Sequence, residues 1–346
     1  MKRTLLVASL VLSFVFTVKA DEGMWLLNQL SQLNLKEKGL EIPVEDIYRP
    51  GQIGLASAVV NLGGASAELV SPDGLILTNH HVAFGAVQRA STAGTDYLTN
   101  GFLAKTRDNE LPAPGYVARV LLEMKDVTDQ ILKGMDKIKD PVKRMKAIEK
   151  RMKQMEEEIE KQREDFDARI ASMYSGKQYI LFKYQRFEDV RMVFIPPRAI
   201  GNYGGDVDNW MWPRHTGDFS FLRIYNSPDG KGVPYAKENV PFKPKRWIKI
   251  ARTPIKEGDF TFIIGFPGRT NRYSTSFAID FYLNKVYPMS ISEFQSIINM
   301  LDEIGKQSKE LAIKAVGTTK WLNNSMKNYQ GNLEGMKRIH LLEKKK

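Results

Sequence analysis

The chain has four histidines, at positions 80, 81, 215 and 340, and no cysteine. Cysteine nucleophiles, thiolate metal sites and disulfide scaffolds are therefore excluded. His80 and His81 close the segment Ser71-Pro72-Asp73-Gly74-Leu75-Ile76-Leu77-Thr78-Asn79-His80-His81-Val82. An imidazole at the end of a buried strand suits general-base work, because the strand fixes its position while the following loop exposes the ring. The plainer reading is a satisfied structural histidine. A second stretch, Gly204-Gly205-Asp206-Val207-Asp208-Asn209-Trp210-Met211-Trp212-Pro213-Arg214-His215-Thr216-Gly217-Asp218-Phe219, ends where a strand is expected to open. A carboxylate at Asp218 can accept the proton-bearing nitrogen of a histidine and hold the ring in the tautomer that takes a proton from a serine. Asp206 and Asp208 lack a third well-spaced oxygen ligand or a nearby histidine pair, so they read as turn residues and no metal is expected. The glycines of a third stretch, Gly258 to Tyr273, suit a turn close to a site or a plain strand-turn equally well.

The elements that must position these residues can be read from pattern. Leu55 to Leu62 is a short apolar run punctuated by Gly63-Gly64. Ala67 to Val70 leads into the turn Ser71-Pro72-Asp73-Gly74, and Leu75 to Thr78 resumes as the second strand of a hairpin that delivers Asn79-His80-His81. Strands are also expected at Tyr179–Tyr184, Val190–Ile195 and Phe219–Tyr225, with a further pair at Trp247–Ala251 and Asp259–Ile264. Residues 122–173 read as a helical excursion. Asp140-Pro141 marks a helix start, and Val142, Met145, Ile148, Met152, Met155, Ile159, Phe166 and Ile170 keep helical spacing above a solvated charged face. Beyond about Asn284 the pattern is helical to the end. Ser290 or Ser292 is placed to cap, and Phe294, Ile297, Ile298, Leu301 and Ile304 form the stripe. His215 is expected to pack locally and His340 to lie on a helix surface.

Composition is that of a globular chain: 346 residues, 42% apolar and 26% charged. The net charge of +11 invites a nucleic-acid reading, but that reading rests on charge alone, and many of the lysines fall in helical segments. The first twenty residues carry Lys2-Arg3, an apolar run from Leu5 to Val18 and Val18-Lys19-Ala20, the pattern of a secretory signal peptide. The apolar run is too short for a bilayer span of about 20 residues. Residues 1–20 therefore read as a signal peptide cleaved after Ala20, giving a periplasmic or extracellular protein without stable membrane insertion.

Together, Asp21-Glu22-Gly23-Met24-Trp25, Thr78-Asn79-His80-His81 and the Gly204–Phe219 stretch resemble the bacterial dipeptidyl-peptidase 7 and 11 family. These are serine exopeptidases with a chymotrypsin-like double β-barrel and an inserted helical domain. The hairpin ending in His81 also resembles the base-presenting segment of trypsin-like proteases of the high-temperature-requirement type. The resemblance runs from Asp21 to about Tyr273 and less distinctly beyond. It implies a mixed β and α fold with residues 21–283 as the first barrel, its helical excursion and the start of the second barrel, and 284–346 as the beginning of the helical domain. It makes His81 the base, Asp218 its orienting carboxylate, and Asn209 with Trp210 the holders of a substrate's free amino terminus. Peptides with a free N-terminus are the implied partners, a homodimer is plausible, and no cofactor is implied.

Two departures stand out. Val82 occupies a position where the family commonly has cysteine. The family's nucleophilic serine lies in a downstream Gly-Asn-Ser-Gly-like loop, and none of Ser220, Ser227, Ser274, Ser276, Ser290, Ser292, Ser296, Ser308 or Ser325 sits in such a glycine-flanked elbow. The resemblance thus implies the N-terminal portion of a dipeptidyl-peptidase, inactive by itself without its serine. The alternative is a non-catalytic exported peptide-binding or chaperone-like protein.

Overall fold

The computed structural model describes residues 23–51, 54–92, 94–268 and 274–346. The expected signal peptide, together with Asp21 and Glu22, lies outside the described residues, as do Arg269–Tyr273 of the third glycine-containing stretch.

Among the described residues eleven strands form one antiparallel sheet: β1 (Val59–Leu62), β2 (Ala65–Leu69), β3 (Leu75–Thr78), β4 (Phe102–Leu103), β5 (Leu111–Pro112), β6 (Ala118–Asp126), β7 (Phe166–Met173), β8 (Gln178–Phe187), β9 (Asp189–Ile195), β10 (Ser220–Asn226) and β11 (Val240–Pro241). The main path runs β4-β9-β10-β3-β2-β1-β6-β8-β7, with β5 paired to β9 and β11 to β10. The hairpin β2–β3 forms as its sequence demands. Val70 N–H donates to Leu75 O at 2.8 Å, and the Ser71 hydroxyl accepts the Asp73 and Leu75 amides, each at 3.2 Å. Gly74 has φ +68, and a Cβ there would lie 2.7 Å from Ile224 O and 2.9 Å from Phe242 O. Only glycine meets both the left-handed backbone and the close approach of β10.

Ala67, Leu69 and Ile76 point into a core shared with Val60, Phe187, Met192, Leu222 and Ile224. Helix α1 (His80–Ala90) begins directly after β3 and adds Ala83, Ala86 and Val87 to the same core. A fully buried valine, leucine or isoleucine in this core contributes about 1.5–3 kcal/mol, and a buried alanine methyl about 0.8 kcal/mol. The platform that carries His80 and His81 is thus anchored from both the strand and the helix.

The stretch 122–173 is not helical throughout. Helix α2 (Pro141–Glu160) starts as expected, with the Asp140 side chain accepting Lys143 N–H at 2.9 Å. Residues 122–126, however, belong to β6, and Phe166 to Met173 form β7, paired along its length with β8. Phe166 and Ile170 are four apart, a spacing that satisfies a strand's period of two as well as a helical one, so the stripe ran on past its helix. Ile148, Met152, Met155 and Ile159 of α2 pack on Ile170, Tyr179 and Leu181.

The expected strand pair at Trp247–Ala251 and Asp259–Ile264 is also absent. A strand exists through its ladder, and among the described residues the first run makes one backbone bond to the sheet, Ile248 N–H to Leu69 O at 2.8 Å. The helical end begins earlier than expected. Thr275 caps α3 (Ser276–Phe281), which passes through a π turn at Tyr282–Val286 into α4 (Tyr287–Gln307). Ser290 and Ser292 lie inside α4 rather than at its start. The π turn ends two residues before Pro288, whose backbone nitrogen has no hydrogen to donate to the helix ladder. Ser308 then caps α5 (Lys309–Arg338) through Leu311 N–H at 3.2 Å, and α4 and α5 pack through Ile298, Leu322 and Met326. Among the described residues no helix is long and apolar enough to cross a membrane.

Candidate active site

Antiparallel pairing of β3 with β10 sets Thr78 opposite Ser220 and Leu77 opposite Phe221. Continued past the strand ends, this register brings the residues after β3 alongside those before β10. Asp218 precedes β10 by two residues and lies beside His81. Its Oδ2 is 2.7 Å from His81 Nδ1, and its Oδ1 accepts the His81 backbone N–H at 3.0 Å. The Asn79 side-chain amide donates to Asp218 O at 3.0 Å and to Oδ2 at 3.4 Å.

Asp218 therefore does two things. It satisfies an orphan donor at the N-terminus of α1, where a negative charge is favoured, and it fixes the imidazole. Burial pushes the Asp218 carboxyl up, but hydrogen bonds from the His81 ring and backbone, with the charges of His81 and Arg214, outweigh it and leave the carboxyl below its usual range. An ionised carboxylate only accepts, so Nδ1 carries a proton, and in the neutral ring Nε2 then keeps its lone pair. The His81 side chain is 56% exposed against 17% for Asp218. The pair is a partly buried orienting carboxylate with an accessible base, competent to take a proton from a hydroxyl and return it.

Asn209 and Trp210 meet α5. Asn209 Nδ2 donates to Asn324 Oδ1 at 2.8 Å, Trp210 Nε1 donates to Asn324 O at 3.1 Å, and the Lys327 ammonium donates to Val207 O. Trp210 sits at φ +60, a left-handed conformation unusual for a bulky residue and here held by its indole bond. Arg214 connects the two groups, lying 3.4 Å from Asn209 Oδ1 through Nη1 while its charge acts on Asp218. Amide oxygens beside an exposed indole form a place where an ammonium group can be held. Asn324 had no signal of its own in the sequence beyond the Asn323-Asn324 pair, poor helix formers within an otherwise regular helix.

The remaining candidates separate from these groups. His215 is exposed rather than locally packed, and His340 is exposed between two helices. Among the described residues no serine hydroxyl hydrogen-bonds to His81, and no group of three or more metal-ligating side chains forms. Ser220, the candidate serine nearest Asp218 in sequence, is buried in β10 with its hydroxyl unpartnered. The third glycine-containing stretch docks on β2, where Phe266 N–H donates to Ser66 Oγ at 2.8 Å.

Comparison with known proteins places the chain in a family. Dipeptidyl-peptidase 7 of Capnocytophaga gingivalis is 35% identical over 339 residues, covering 96% of this chain and 47% of the relative. The Asp/Glu-specific dipeptidyl-peptidase of the same organism is 38% identical over 320 residues, covering 91% of this chain and 45% of that protein. The crystal structure of Porphyromonas endodontalis DPP11 in complex with the dipeptide Arg-Glu superposes with a TM-score of 0.85 at 32% identity, over 94% of this chain and 48% of that one. The chain thus spans about half the length of the relatives it matches. Its mixed fold, a large antiparallel sheet with helical insertions, is the one shared with DPP11. The Peptidase S46 family model matches residues 20–346, and the chain belongs to that family.

Proposed function

We propose that this chain carries the base and the amino-terminal pocket of a serine dipeptidyl-peptidase that releases dipeptides from the free N-terminus of peptides. The observation that supports it most is the His81–Asp218 pair at 2.7 Å with the imidazole exposed. In the proposed reaction a serine hydroxyl attacks the carbonyl that follows the second residue. Nε2 of His81 takes the hydroxyl proton and then gives it to the leaving amine, while Asp218 holds the ring and stabilises its charged form. The nucleophile and its oxyanion donors are assigned to sequence outside residues 1–346.

Asn209, Trp210 and Asn324 hold the substrate ammonium. A pocket that fixes the chain end sets the product length, since two extended residues span roughly 7 Å. Relatives named dipeptidyl-peptidase 7 and relatives named Asp/Glu-specific match about equally well, so the proposal covers the reaction and leaves the preferred side chain open. It extends to export, with action in the periplasm or outside the cell on peptides destined for catabolism. The test uses the complete polypeptide and a peptide offered with a free and with an acetylated N-terminus. Dipeptides should be released from the free form alone, and His81→Ala should abolish release. Cleavage of the acetylated peptide, or full activity in His81→Ala, would sink the proposal.

A further inference from the structure

His80, the neighbour of the base, is fully buried, and neither ring nitrogen has a hydrogen-bond partner among the described residues. Burying an imidazole unsatisfied is costly, a cost that packing alone does not require of this position. What the ring touches is specific. One face lies on Gly201: a Cβ there would stand 2.4 Å from the His80 Cγ and Cδ2 atoms, so only glycine allows the approach. The ring edge meets Phe84 with centroids 6.3 Å apart and planes at 77°, and the Lys320 ammonium of α5 lies 4.6 Å from the centre of the Phe84 ring.

Gly201 ends the helical turn Arg198–Gly201, from which the chain runs on to Asn209 and Trp210. That turn is tied back to the Asp218 segment by Gly217 N–H to Ile200 O at 3.0 Å and by the Thr216 hydroxyl to Tyr203 O at 2.8 Å. His80 therefore stands where the element bearing the base, the loop bearing Asn209-Trp210 and the helix bearing Asn324 converge. Phe84, Arg198 and Lys320 also line a cleft of about 840 Å³, which gives the turn room to shift if the ring is lost.

We propose that His80 is a positioning residue for the reaction above: its buried ring is a wedge that sets the amino-terminal pocket at a fixed distance from His81. This rests on the dipeptidyl-peptidase reading. The charged and titratable groups around the ring are Lys320 from α5, Asp218 ahead of β10, His81 on α1 and Arg198 on the turn. Burial, with the Lys320 charge next, lowers the tendency of the ring to take a proton, and Asp218 opposes this. A second proton on the buried ring is disfavoured there, so acid should loosen the pocket before it unfolds the protein.

The experiment uses the complete enzyme and a dipeptidyl amide with a free amine and no ionisable side chain. His80→Ala should raise KM about tenfold and change kcat by less than about threefold, because a displaced pocket weakens binding more than the proton transfer. In the native enzyme KM should rise as pH falls below 6.5, the ordinary imidazole value from which this ring is lowered, and His80→Phe should remove that rise while kcat keeps its own acid limb. An unchanged KM in His80→Ala, a loss confined to kcat, or identical KM profiles for the native and His80→Phe enzymes would each overturn the proposal. Should His80→Ala fail to fold, the native pH profile decides alone, since a flat KM overturns it. A native enzyme that releases no dipeptide marks failure of the underlying reading instead.

Discussion

Asp218→Asn separates the two jobs of the carboxylate. Asparagine keeps one oxygen, so the His81 backbone N–H, now 3.0 Å from Oδ1, retains an acceptor and the start of α1 stays capped. The atom facing His81 Nδ1 at 2.7 Å becomes an amide nitrogen. Two donors cannot face each other, so the ring must move its proton to Nε2 and lose the lone pair that takes the serine proton. The expected loss in kcat is on the order of 10⁴-fold, or about 5.4 kcal/mol of transition-state stabilisation. Stability should fall far less, by about 1–2 kcal/mol for a charge-assisted bond made neutral. The sign of its pH dependence follows from the lowered carboxyl. A depressed folded value stabilises the protein above the ordinary value of 3.8 and ceases to do so as pH falls through the folded one. The stability gap between native and variant should thus be full at neutral pH and close below about pH 4. Turnover of a dipeptidyl amide and urea unfolding at both pH values read the two effects. A variant within tenfold of native turnover, or a gap that persists in acid, would refute the reasoning.

Asn324→Ala removes an amide from the proposed amino-terminal pocket and should raise KM for free-amine peptides about 10- to 100-fold, the worth of one hydrogen bond to a charged group, with kcat little changed in steady-state assays. Gly74→Ala places a Cβ against Ile224 O in a left-handed turn and should cost about 2–4 kcal/mol in urea unfolding. Asp140→Ala removes the cap of α2 and should cost about 1 kcal/mol while leaving kcat intact, a control on the two preceding variants.

The hairpin that ends in His81 was legible because each of its signals is local: alternating apolar residues, a proline-aspartate-glycine turn and a polar end. Its partnership with Asp218 lay 137 residues away, and motif resemblance rather than periodicity linked the two. Periodicity failed where it was ambiguous. Phe166 and Ile170 carry a spacing common to helix and strand, and pairing with β8 decided it. It failed again at Trp247–Ala251 and Asp259–Ile264, whose residues favour strands but find no ladder among the described residues. Asn324 and His80 were not visible as parts of a pocket because their roles come from contacts with distant elements. An asparagine on a helix and a second histidine beside the base have no distinctive spacing until α5 and the Gly201 turn are packed against α1.

The proposed division of labour, with the base in this chain and the nucleophile outside residues 1–346, is tested most directly by covalent labelling. The native enzyme would be treated with a fluorophosphonate, which phosphonylates a serine activated by a neighbouring base, and the modified residue located by peptide mass spectrometry. The expected result is one modified serine outside residues 1–346, with labelling lost in His81→Ala. Labelling of a serine within these residues, such as Ser220, or labelling that survives removal of His81, would contradict it.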